Sequence, residues 1–520
     1  MFAQVSTVAF LGIDARPVDV QVQIGAGLPS FSIVGLADKA VVESRERVRA
    51  ALCSIGLGLP AKRITVNLAP ADLPKEGSHY DLPIALGVMI AAGALPGEEI
   101  ADYVVIGELS LDGAIAPVAG SLPAAIGANA LGKGLICPLA SGAEAAWASP
   151  TMAILAPPHL LALANHFKGM ASLPRPTPRL AERPPDTLDL VDVRGQETAK
   201  RALEIAAAGG HHLLMTGPPG AGKSMLAQRL PGLLPPLEPA EMLEVSMIQS
   251  MAGQICNGEL NRQRPFRAPH HSASMAALVG GGARPRPGEV ALAHHGVLFL
   301  DELPEFAPQA VDSLRQPLES GELIIARANH RITYPTRIQL VAAMNPCRCG
   351  HADDPGHSCR LGSACRERYQ ARISGPILDR IDLRISVPPI TAADLSLPPA
   401  GESSAQVRER VRQARERQLA RFQRLDARGI RLNAQCPPAL LGEVAKLDAA
   451  GEKLLREASD AFSLSARGYH RVLRVSRTLA DLDGLDRIST AHIAEALAGR
   501  GEEVRPRVER PRLAIAQTAM

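Results

Sequence analysis

The sequence predicts an α/β protein built from two α/β parts, a small helical part and a short tail. Three observations support this prediction. A chain of 520 residues is too long for one ordinary core, short β-like runs alternate with helical stretches, and a Pro- and Arg-rich stretch at 173–187 divides the chain. We therefore expect domains at 1–168, 189–395 and 396–500, with a Pro-rich linker at 169–188 and a flexible tail at 501–520.

The composition and charge of the chain are typical of a globular protein that is neither secreted nor membrane-spanning. Hydrophobic residues make up 46% of the chain and aromatic residues 3%, so the cores must consist of Ala, Leu, Val and Ile. The net charge of +3 hides no large basic block, so any nucleic-acid binding must come from a local cluster. Asp14 and Arg16 interrupt the amino terminus too early for a signal peptide, and the apolar stretch 82–95 is too short to span a bilayer. We expect a cytoplasmic protein with no membrane association.

Local patterns predict the main elements. In the first part, residues 30–34, 64–68 and 103–106 are typical of strands and 39–52 is typical of a helix. In the second part, HHLLMTG, GVLFLDE and IQLVAAMN are strand-like segments set between helices. From residue 405 onward the pattern is helical and charged, with a helix expected over 407–425.

The strongest motif is a glycine-rich loop between a strand, HLLMT, and a helix, MLAQRL. This context identifies a Walker A loop rather than an ordinary Gly/Pro-rich turn. Its glycines let backbone N–H groups surround phosphate oxygens, Lys223 reaches the β- and γ-phosphates, and Ser224 holds Mg²⁺. The nucleotide-binding residues are Gly217, Pro218, Pro219, Gly220, Ala221, Gly222, Lys223 and Ser224.

Two later strands end in polar residues that suit ATP hydrolysis. Residues 297–300 are followed by Asp301 and Glu302, a Walker B arrangement in which Asp301 reaches Mg²⁺ and Glu302 orients and polarises the attacking water. The apolar run 338–343 leads to Asn345, which in series with the other motifs is the expected sensor 1. Alone, Asn345 would be better explained as a turn residue before Pro346.

Two arginines are candidates for contact with the γ-phosphate. Arg380, in the run GPILDRID, is the candidate arginine finger, since phosphoryl transfer needs a cation against developing charge. Arg467, in SARGYHRVLR, is the candidate sensor 2. The alternative for each is a solvated surface arginine.

Taken together, these motifs resemble the magnesium-chelatase-like AAA+ ATPases, and specifically the YifB/ComM family. The resemblance covers essentially the whole chain. It implies an AAA+ core with a carboxyl-terminal helical lid, a hexameric ring with Arg380 acting in trans, and a DNA motor that promotes branch migration during natural transformation. The matching stretches are FSIVGLADKAVVESRERVRAAL, VNLAPADLPKEGSHYDLPIAL, FRAPHHSAS, GVLFLDELPEF, SGPILDRIDL and SARGYHRVLRVSRTLADL.

The amino-terminal part is similar to the proteolytic domain of Lon, which has the fold of ribosomal protein S5 domain 2. The similar stretches are PKEGSHYDLPIAL and IGELSLDGAIAPVAGSLPAAIGA. Where Lon-like proteases carry the nucleophilic serine this chain has His79, and where they carry the lysine it has Ser121 and Leu122. Ser78 is one position away, but a hydroxyl without its activating amine is a poor nucleophile. The resemblance therefore implies a structural or DNA-contacting domain without protease activity.

Two insertions in the second α/β part are candidates for DNA contact. The first contains FRAPHH and GGGARPRPG, whose glycines with Arg267, Arg284 and Arg286 suit a mobile loop facing a ring pore. The second is expected to be a hairpin with Arg327 and Arg331 beside its tip, where related ring helicases place a basic hairpin. The alternative is an exposed turn with two solvated arginines.

Four cysteines cluster within nineteen residues: Cys347, Cys349, Cys359 and Cys365. Four thiolates suit tetrahedral Zn²⁺. The spacing is not the usual pair of C-x-x-C knuckles, so His351 or His357 is an alternative ligand and a set of free thiols is an alternative to a metal site.

Three functions fit these residues. The first is an ATP- and Mg²⁺-dependent DNA motor, with single-stranded or branched DNA as its partner. The second is the motor subunit of a magnesium chelatase, although such subunits generally lack the Lon-like domain. The third is a regulatory AAA+ ATPase that acts on a protein partner.

Overall fold

The computed structural model describes residues 1–182, 188–282, 286–326, 331–350, 363–390, 396, 401–462 and 464–500. The chain divides into two compact units, each assembled from two segments. Unit one comprises Met1–Thr187 and Pro235–Gln339, and unit two comprises Leu188–Leu234 and Leu340–Met520. The Walker B residues therefore belong to unit one, and the Walker A residues and Asn345 belong to unit two.

The described strands are, in chain order, β1 Phe2–Leu11, β2 Asp14–Gly25, β3 Ser30–Val34, β4 Arg63–Ala69, β5 Tyr103–Val105, β6 Glu108–Leu109, β7 Ile115–Ala116, β8 Gly134–Ile136, β9 Ile154–Leu155, β10 Arg179–Leu180, β11 Leu213–Thr216, β12 Glu259–Leu260, β13 Phe266–Arg267, β14 Gly280–Gly281, β15 Arg286–Pro287, β16 Val297–Leu300, β17 Glu322–Ala326, β18 Arg331–Pro335, β19 Gln339–Met344 and β20 Leu383–Ser386.

The described helices are, in chain order, α1 Lys39–Ser54, α2 Asp81–Ala91, α3 Gly97–Ala101, α4 Ser121–Ala130, α5 Gly142–Ala145, α6 Leu160–Phe167, α7 Glu197–Gly209, α8 Lys223–Leu233, α9 Pro239–Met251, α10 Met275–Val279, α11 Glu289–Leu292, α12 Pro308–Asp312, α13 Arg315–Ser320, α14 Ser363–Gln370, α15 Gly375–Leu378, α16 Ser404–Arg424, α17 Pro438–Val444, α18 Ala449–Ala461, α19 Ala466–Leu482 and α20 Thr490–Ala498.

A seven-stranded sheet in the order β3-β4-β2-β1-β5-β8-β9 organises the first segment of unit one. Strands β1 and β2 form a long antiparallel hairpin, and β1 pairs in parallel with β5. Helix α2 is almost entirely apolar and buried, and it packs against β1 and β2. Helix α1 begins at Asp38, whose carboxylate accepts the N–H of Val41 and so satisfies one of the unpaired donors of the first turn.

The second segment of unit one packs onto this first segment at two places. Helix α9 and β12 contribute apolar side chains to a cluster with Leu122 of α4 and the partly buried Trp147. The hairpin β17–β18 places Ile332 and Tyr334 against Ile13 in the turn between β1 and β2. Both insertions of the second α/β part are therefore anchored by apolar contacts within unit one.

Unit two contains a parallel sheet in which β11 lies between β19 and β20. Helix α7 contacts β20 and α8, and α16 packs across α7, α8 and α19. Helix α16 begins with a capping box in which Ser403 and Gln406 exchange side-chain to backbone hydrogen bonds. The buried Arg477 and the partly buried Arg421 of these helices both pair with Asp481.

Several predictions from local pattern are confirmed. The chain is mixed α/β with parallel sheets, and the strands expected at 30–34, 64–68 and 103–106 correspond to β3, β4 and β5. The helices expected at 39–52 and 407–425 correspond to α1 and α16. The predicted linker contains β10, paired in parallel with β12. Residues 183–187 of that linker and the tail 501–520 lie outside the described residues.

Among the described residues, no helix combines the length and apolar character that crossing a bilayer requires.

Candidate active site

The Walker A loop of unit two has the backbone that its glycines predict. It follows the buried strand β11, and α8 begins at Lys223. A Cβ atom on Gly217 would lie 2.1 Å from the carbonyl oxygen of Val387, so only glycine fits there. Gly222 has a φ of +87°, a conformation that glycine adopts without steric cost. The loop is therefore held in one shape by the neighbouring strands.

The ammonium of Lys223 lies at the centre of this loop and is 8% exposed. It donates to the carbonyl oxygens of Gly217 and Pro218 at 2.7 and 2.8 Å, and to Oδ1 of Asn345 at 3.1 Å. These three acceptors stabilise the buried charge. Phosphate oxygens entering the loop would replace carbonyl acceptors with charged ones, which bind an ammonium more strongly.

Asn345 reaches Lys223 because of the register of the parallel sheet. Thr216 of β11 pairs with Met344 of β19, so Gly217 and Asn345 both follow the carboxyl ends of adjacent strands. This edge is where open α/β sheets bind their ligands. The structure thus places the expected sensor 1 residue beside the Walker A lysine.

The two candidate γ-phosphate arginines occupy different elements of unit two. Arg380 follows α15 and donates from Nη1 to the carbonyl oxygen of Pro376 at 2.8 Å. Arg467 lies in the first turn of α19 and is exposed. Ser465 caps this helix by accepting the N–H of Gly468 at 3.1 Å.

A carboxylate that the sequence analysis missed lies two residues after Arg380. Asp382 is 5% exposed and accepts the N–H of His212, directly before β11, at 3.1 Å. Burial alone would raise the pKa of Asp382, but His211 and Arg471 outweigh it and hold the pKa below its usual value. Asp382 thus connects the segment that carries the candidate arginine finger to the residue before β11 and, through Arg471 at 3.7 Å, to α19. Its only sequence signal is a charged residue beside an apolar strand.

In unit one, the fully buried strand β16 delivers Asp301 and Glu302 to its carboxyl end. Glu302 adopts a left-handed backbone conformation, with φ of 52° and ψ of 46°. Its N–H donates to Oδ1 of Asp301 at 2.9 Å. A non-glycine residue in this conformation is uncommon and costs about 1 kcal/mol, so the chain turns sharply at the residue predicted to activate water.

A second missed residue, His271, contacts this glutamate. Its Nδ1 lies 3.3 Å from Oε2 of Glu302, and the two side chains are 37% and 50% exposed. The run FRAPHH was singled out for its arginine and its place in an insertion, and nothing in local pattern signals a contact with a residue 31 positions later.

The cysteine cluster of unit two is only partly within the described residues. The sulfur atoms of Cys347, Cys349 and Cys365 all lie within 4.8 Å of one another, close enough to serve as ligands of one metal ion. Cys359, His351 and His357 lie outside the described residues. The cluster adjoins the Walker A loop, because a Cβ atom on Gly350 would lie 2.6 Å from Cδ of Pro219.

Glu244 of α9 and two histidines before β16 form another group whose side chains are of metal-ligating types. Nε2 of His294 and Nε2 of His295 lie 3.0 and 2.8 Å from the same oxygen of Glu244. However, Nδ1 of His294 accepts the N–H of Arg337 at 3.0 Å, so a neutral ring carries its proton on Nε2. The hydrogen bonds from both histidines lower the pKa of Glu244, and burial lowers the pKa of His294 to about 4. The group is therefore better described as a hydrogen-bonded contact between α9 and the residues before β16 than as a metal site.

The candidate DNA residues belong to unit one. Arg331 begins β18 and is exposed, and its pairing with Ala326 closes the described part of the hairpin. Arg286 is exposed on β15 opposite Gly281. Arg327 and Arg284 lie outside the described residues. Arg267 differs from these residues because its guanidinium pairs with the carboxylate of Glu289. Nε donates to Oε2 at 2.6 Å and Nη2 donates to Oε1 at 2.8 Å.

The positions that the Lon resemblance assigns to catalysis are occupied by buried side chains. His79 is 5% exposed, and Ser121 and Leu122 are fully buried. Nε2 of His79 donates to the carbonyl oxygen of Val8 at 2.8 Å. The hydroxyl of Ser78 contacts the carboxylate of Glu108.

Comparison with known proteins agrees with the motifs. Residues 189–395 match the family described as magnesium chelatase, subunit ChlI; residues 20–141 match subunit ChlI of Mg-chelatase; and residues 401–500 match its carboxyl-terminal family. The chain is 46% identical to the competence protein ComM of Haemophilus influenzae over 497 residues, which is 95% of this chain and 96% of that protein. It is 45% identical to YifB of Escherichia coli over 505 residues, 95% and 96% of the two chains. The magnesium-chelatase 38 kDa subunit of Rhodobacter capsulatus is 31% identical over 169 residues, 29% of this chain and 48% of that protein.

Proposed function

The chain belongs to the YifB/ComM family of magnesium-chelatase-like AAA+ proteins, and we propose that it hydrolyses ATP to drive movement along DNA. The observation that carries the ATPase part is the Lys223 ammonium, held inside the Walker A loop and shared with Asn345. A buried cation in a glycine-rich loop between a strand and a helix, at the carboxyl edge of a parallel sheet, is suited to a polyphosphate.

Each predicted residue has a defined task in this reaction. Lys223 exchanges its carbonyl acceptors for oxygens of the β- and γ-phosphates. Glu302 takes a proton from water as the water oxygen attacks the γ-phosphorus and the bond to the bridging oxygen of ADP breaks. Asn345 helps to orient that water. Mg²⁺ neutralises charge on the phosphates, and the hydroxyl of Ser224 and the carboxylate of Asp301 are the residues that would hold it.

The assembly and the substrate are proposed from the relatives. The competence protein ComM supports a role in natural transformation, where we propose that a hexameric ring promotes branch migration in the cytoplasm. In such a ring Arg380 of one subunit would complete the ATP site of its neighbour, and Arg467 would contact the same nucleotide from the lid. The exposed arginines of the hairpin and of the first insertion would grip the phosphate backbone.

The deciding experiment is the ATPase rate with and without single-stranded or branched DNA. A DNA motor should turn over ATP faster when DNA is present. A magnesium-chelatase motor subunit or a regulatory ATPase should be indifferent to DNA, so an unchanged rate would exclude the DNA part of the proposal.

A matched pair of arginine variants tests the contact itself. Arg331→Ala should weaken DNA binding with little sequence dependence and lower the slope of log affinity against log salt by about one. Arg428→Ala, which removes a side chain of unit two that is 91% exposed, should leave the slope unchanged. If both variants keep the wild-type slope of log affinity against log salt, Arg331 does not contact DNA and the contact must lie outside the hairpin.

A further inference from the structure

We infer that Cys347, Cys349 and Cys365 hold one Zn²⁺ ion whose task is to fix Asn345, the expected sensor 1 residue, beside the Walker A loop. The ion would take no part in the reaction itself and would be distinct from the Mg²⁺ that accompanies ATP. The inference rests on the ATPase part of the proposed function and is independent of DNA, because it concerns only residues of unit two.

Three sulfur atoms converge at one point of unit two. The Sγ atoms of Cys347, Cys349 and Cys365 all lie within 4.8 Å of one another, and those of Cys347 and Cys349 are 3.0 Å apart. Bonds of about 2.3 Å to a tetrahedral Zn²⁺ ion place two sulfur atoms about 3.8 Å apart, so small rotations of the side chains accommodate the ion. Three thiolates fill three positions of such an ion and leave the fourth to water or to another side chain.

The three sulfur atoms come from two separate elements. Cys347 and Cys349 belong to a turn after β19, in which the N–H of Gly350 donates to the carbonyl oxygen of Cys347 at 3.0 Å. Cys365 belongs to α14. Thiolates are soft ligands that favour Zn²⁺ over Mg²⁺. One ion bound to all three sulfur atoms would therefore crosslink the turn to the helix.

This turn contacts the nucleotide site at both of its ends. Asn345 is two residues before Cys347, and its Oδ1 accepts a hydrogen bond from the Lys223 ammonium at 3.1 Å. At the other end, Gly350 has a φ of +84°, and a Cβ atom on it would lie 2.6 Å from Cδ of Pro219 in the Walker A loop. The turn thus packs directly on that loop, and an ion that fixes the turn also fixes Asn345.

The ion would act on hydrolysis through geometry. Sensor 1 helps to orient the attacking water, and a displacement of about 1 Å at such a position can lower the rate about a hundredfold. Phosphate binding depends mainly on Lys223 and the loop backbone, and Lys223 has its own hydrogen bonds to Gly217 and Pro218. Loss of the ion should therefore lower kcat for ATP and leave KM nearly unchanged.

The test measures bound zinc, ATP turnover without DNA, and hydrogen exchange of residues 345–350 in the full-length protein. Cys349→Ser changes the exposed member of the cluster. It should lose most of its zinc, lower kcat about ten- to a hundredfold, keep the wild-type KM and exchange faster at 345–350. Cys349→His supplies another zinc ligand and should recover zinc and kcat. Cys53→Ser, which changes an exposed cysteine of unit one, should match wild type in every measurement.

A reversible experiment on wild type separates the ion from any effect of substitution on folding. Protein stripped with a chelator and returned to Mg²⁺ buffer should behave as Cys349→Ser does, and added Zn²⁺ should restore kcat. A wild-type kcat in zinc-free protein would overturn the role of the ion. Wild type that neither contains zinc after chelator-free purification nor takes it up would overturn the site.

Two further outcomes distinguish this inference from the proposed function. A rise in KM with an unchanged kcat would assign the ion to nucleotide binding and overturn its action through Asn345. If wild type binds zinc and does not hydrolyse ATP, the proposed ATPase fails. Hydrogen exchange then decides the inference alone, because the ion fixes the turn only if stripping speeds exchange at 345–350.

Discussion

His79 should make unit one sensitive to mild acid, and this sensitivity distinguishes a core residue from a catalytic one. The side chain is 5% exposed and packs beside Phe10 and Tyr80, with ring centroids 5.2 and 4.1 Å away. Burial lowers the pKa of His79 from 6.5 to about 4, although the hydrogen bond to Val8 acts in the opposite direction. The folded protein therefore resists protonation of a ring that the unfolded chain protonates readily.

The size of this pH effect follows from the linkage between proton binding and folding. Because the pKa is lower in the folded state, the unfolded state binds more protons below pH 6.5, and the free energy of unfolding falls as the pH falls. With these pKa values the loss from His79 is about 2 kcal/mol at pH 5 and about 3 kcal/mol once the pH is below 4. Stability from this group is fully present above pH 6.5.

The measurement is urea unfolding at pH 8 and pH 5 for wild type and for His79→Gln. Glutamine retains an N–H donor for the Val8 carbonyl and does not titrate. The variant should lose about 2 kcal/mol less than wild type between the two pH values, whatever its absolute stability at pH 8. If the free energy of unfolding falls equally in wild type and in the variant between pH 8 and pH 5, His79 is not a buried neutral ring and the packing argument for this position fails.

Four further predictions concern the nucleotide site, the ring, the cysteines and the hairpin. Lys223→Ala should abolish ATP binding, whereas Glu302→Gln should bind ATP and not hydrolyse it; normal turnover by the latter would remove Glu302 from its role. Arg380→Ala should be inactive alone and partly active when mixed with Lys223→Ala subunits, because a mixed ring retains an intact interface. Elemental analysis should find about one zinc per chain, and less in Cys365→Ser; no metal after chelator-free purification would contradict this. Ile13→Ser should speed hydrogen exchange in β17 and β18 by destabilising the hairpin about 1 kcal/mol, and unchanged exchange would show that the contact is unimportant.

Features set by neighbouring residues were predictable from the sequence. The Walker A loop combines glycines, a lysine and flanking apolar runs within a few residues, so its strand-loop-helix context was visible. The strand at 30–34 was predicted with the bounds of β3, because its limits follow from local alternation and turn residues. Asn345 was singled out because a polar residue follows an apolar strand-like run, but its contact with Lys223 appears only in the structure.

Contacts set by long-range register were not predictable in the same way. The pairing of His271 with Glu302 depends on β13 lying in parallel beside β16, and a two-residue strand has too little pattern to be found. Asp382 meets His212 only because β20 joins β11. The ion pair of Arg267 with Glu289 is likewise invisible in the sequence, where Arg267 stands only as a basic residue in an insertion.

In the amino-terminal part, the position that the Lon resemblance assigns to a catalytic lysine is a packing position. At the place that the Lon resemblance gives to the lysine, the N–H of Leu122 donates to Glu144 at 3.0 Å and to Ser250 at 3.4 Å, and the Leu122 side chain packs against α9. Burial raises the pKa of Glu144, whose side chain is 6% exposed. Elsewhere in the amino-terminal part, Ile13 of the β1–β2 turn packs against Ile332 and Tyr334 of the hairpin. The amino-terminal part therefore packs against both insertions of the second α/β part within unit one.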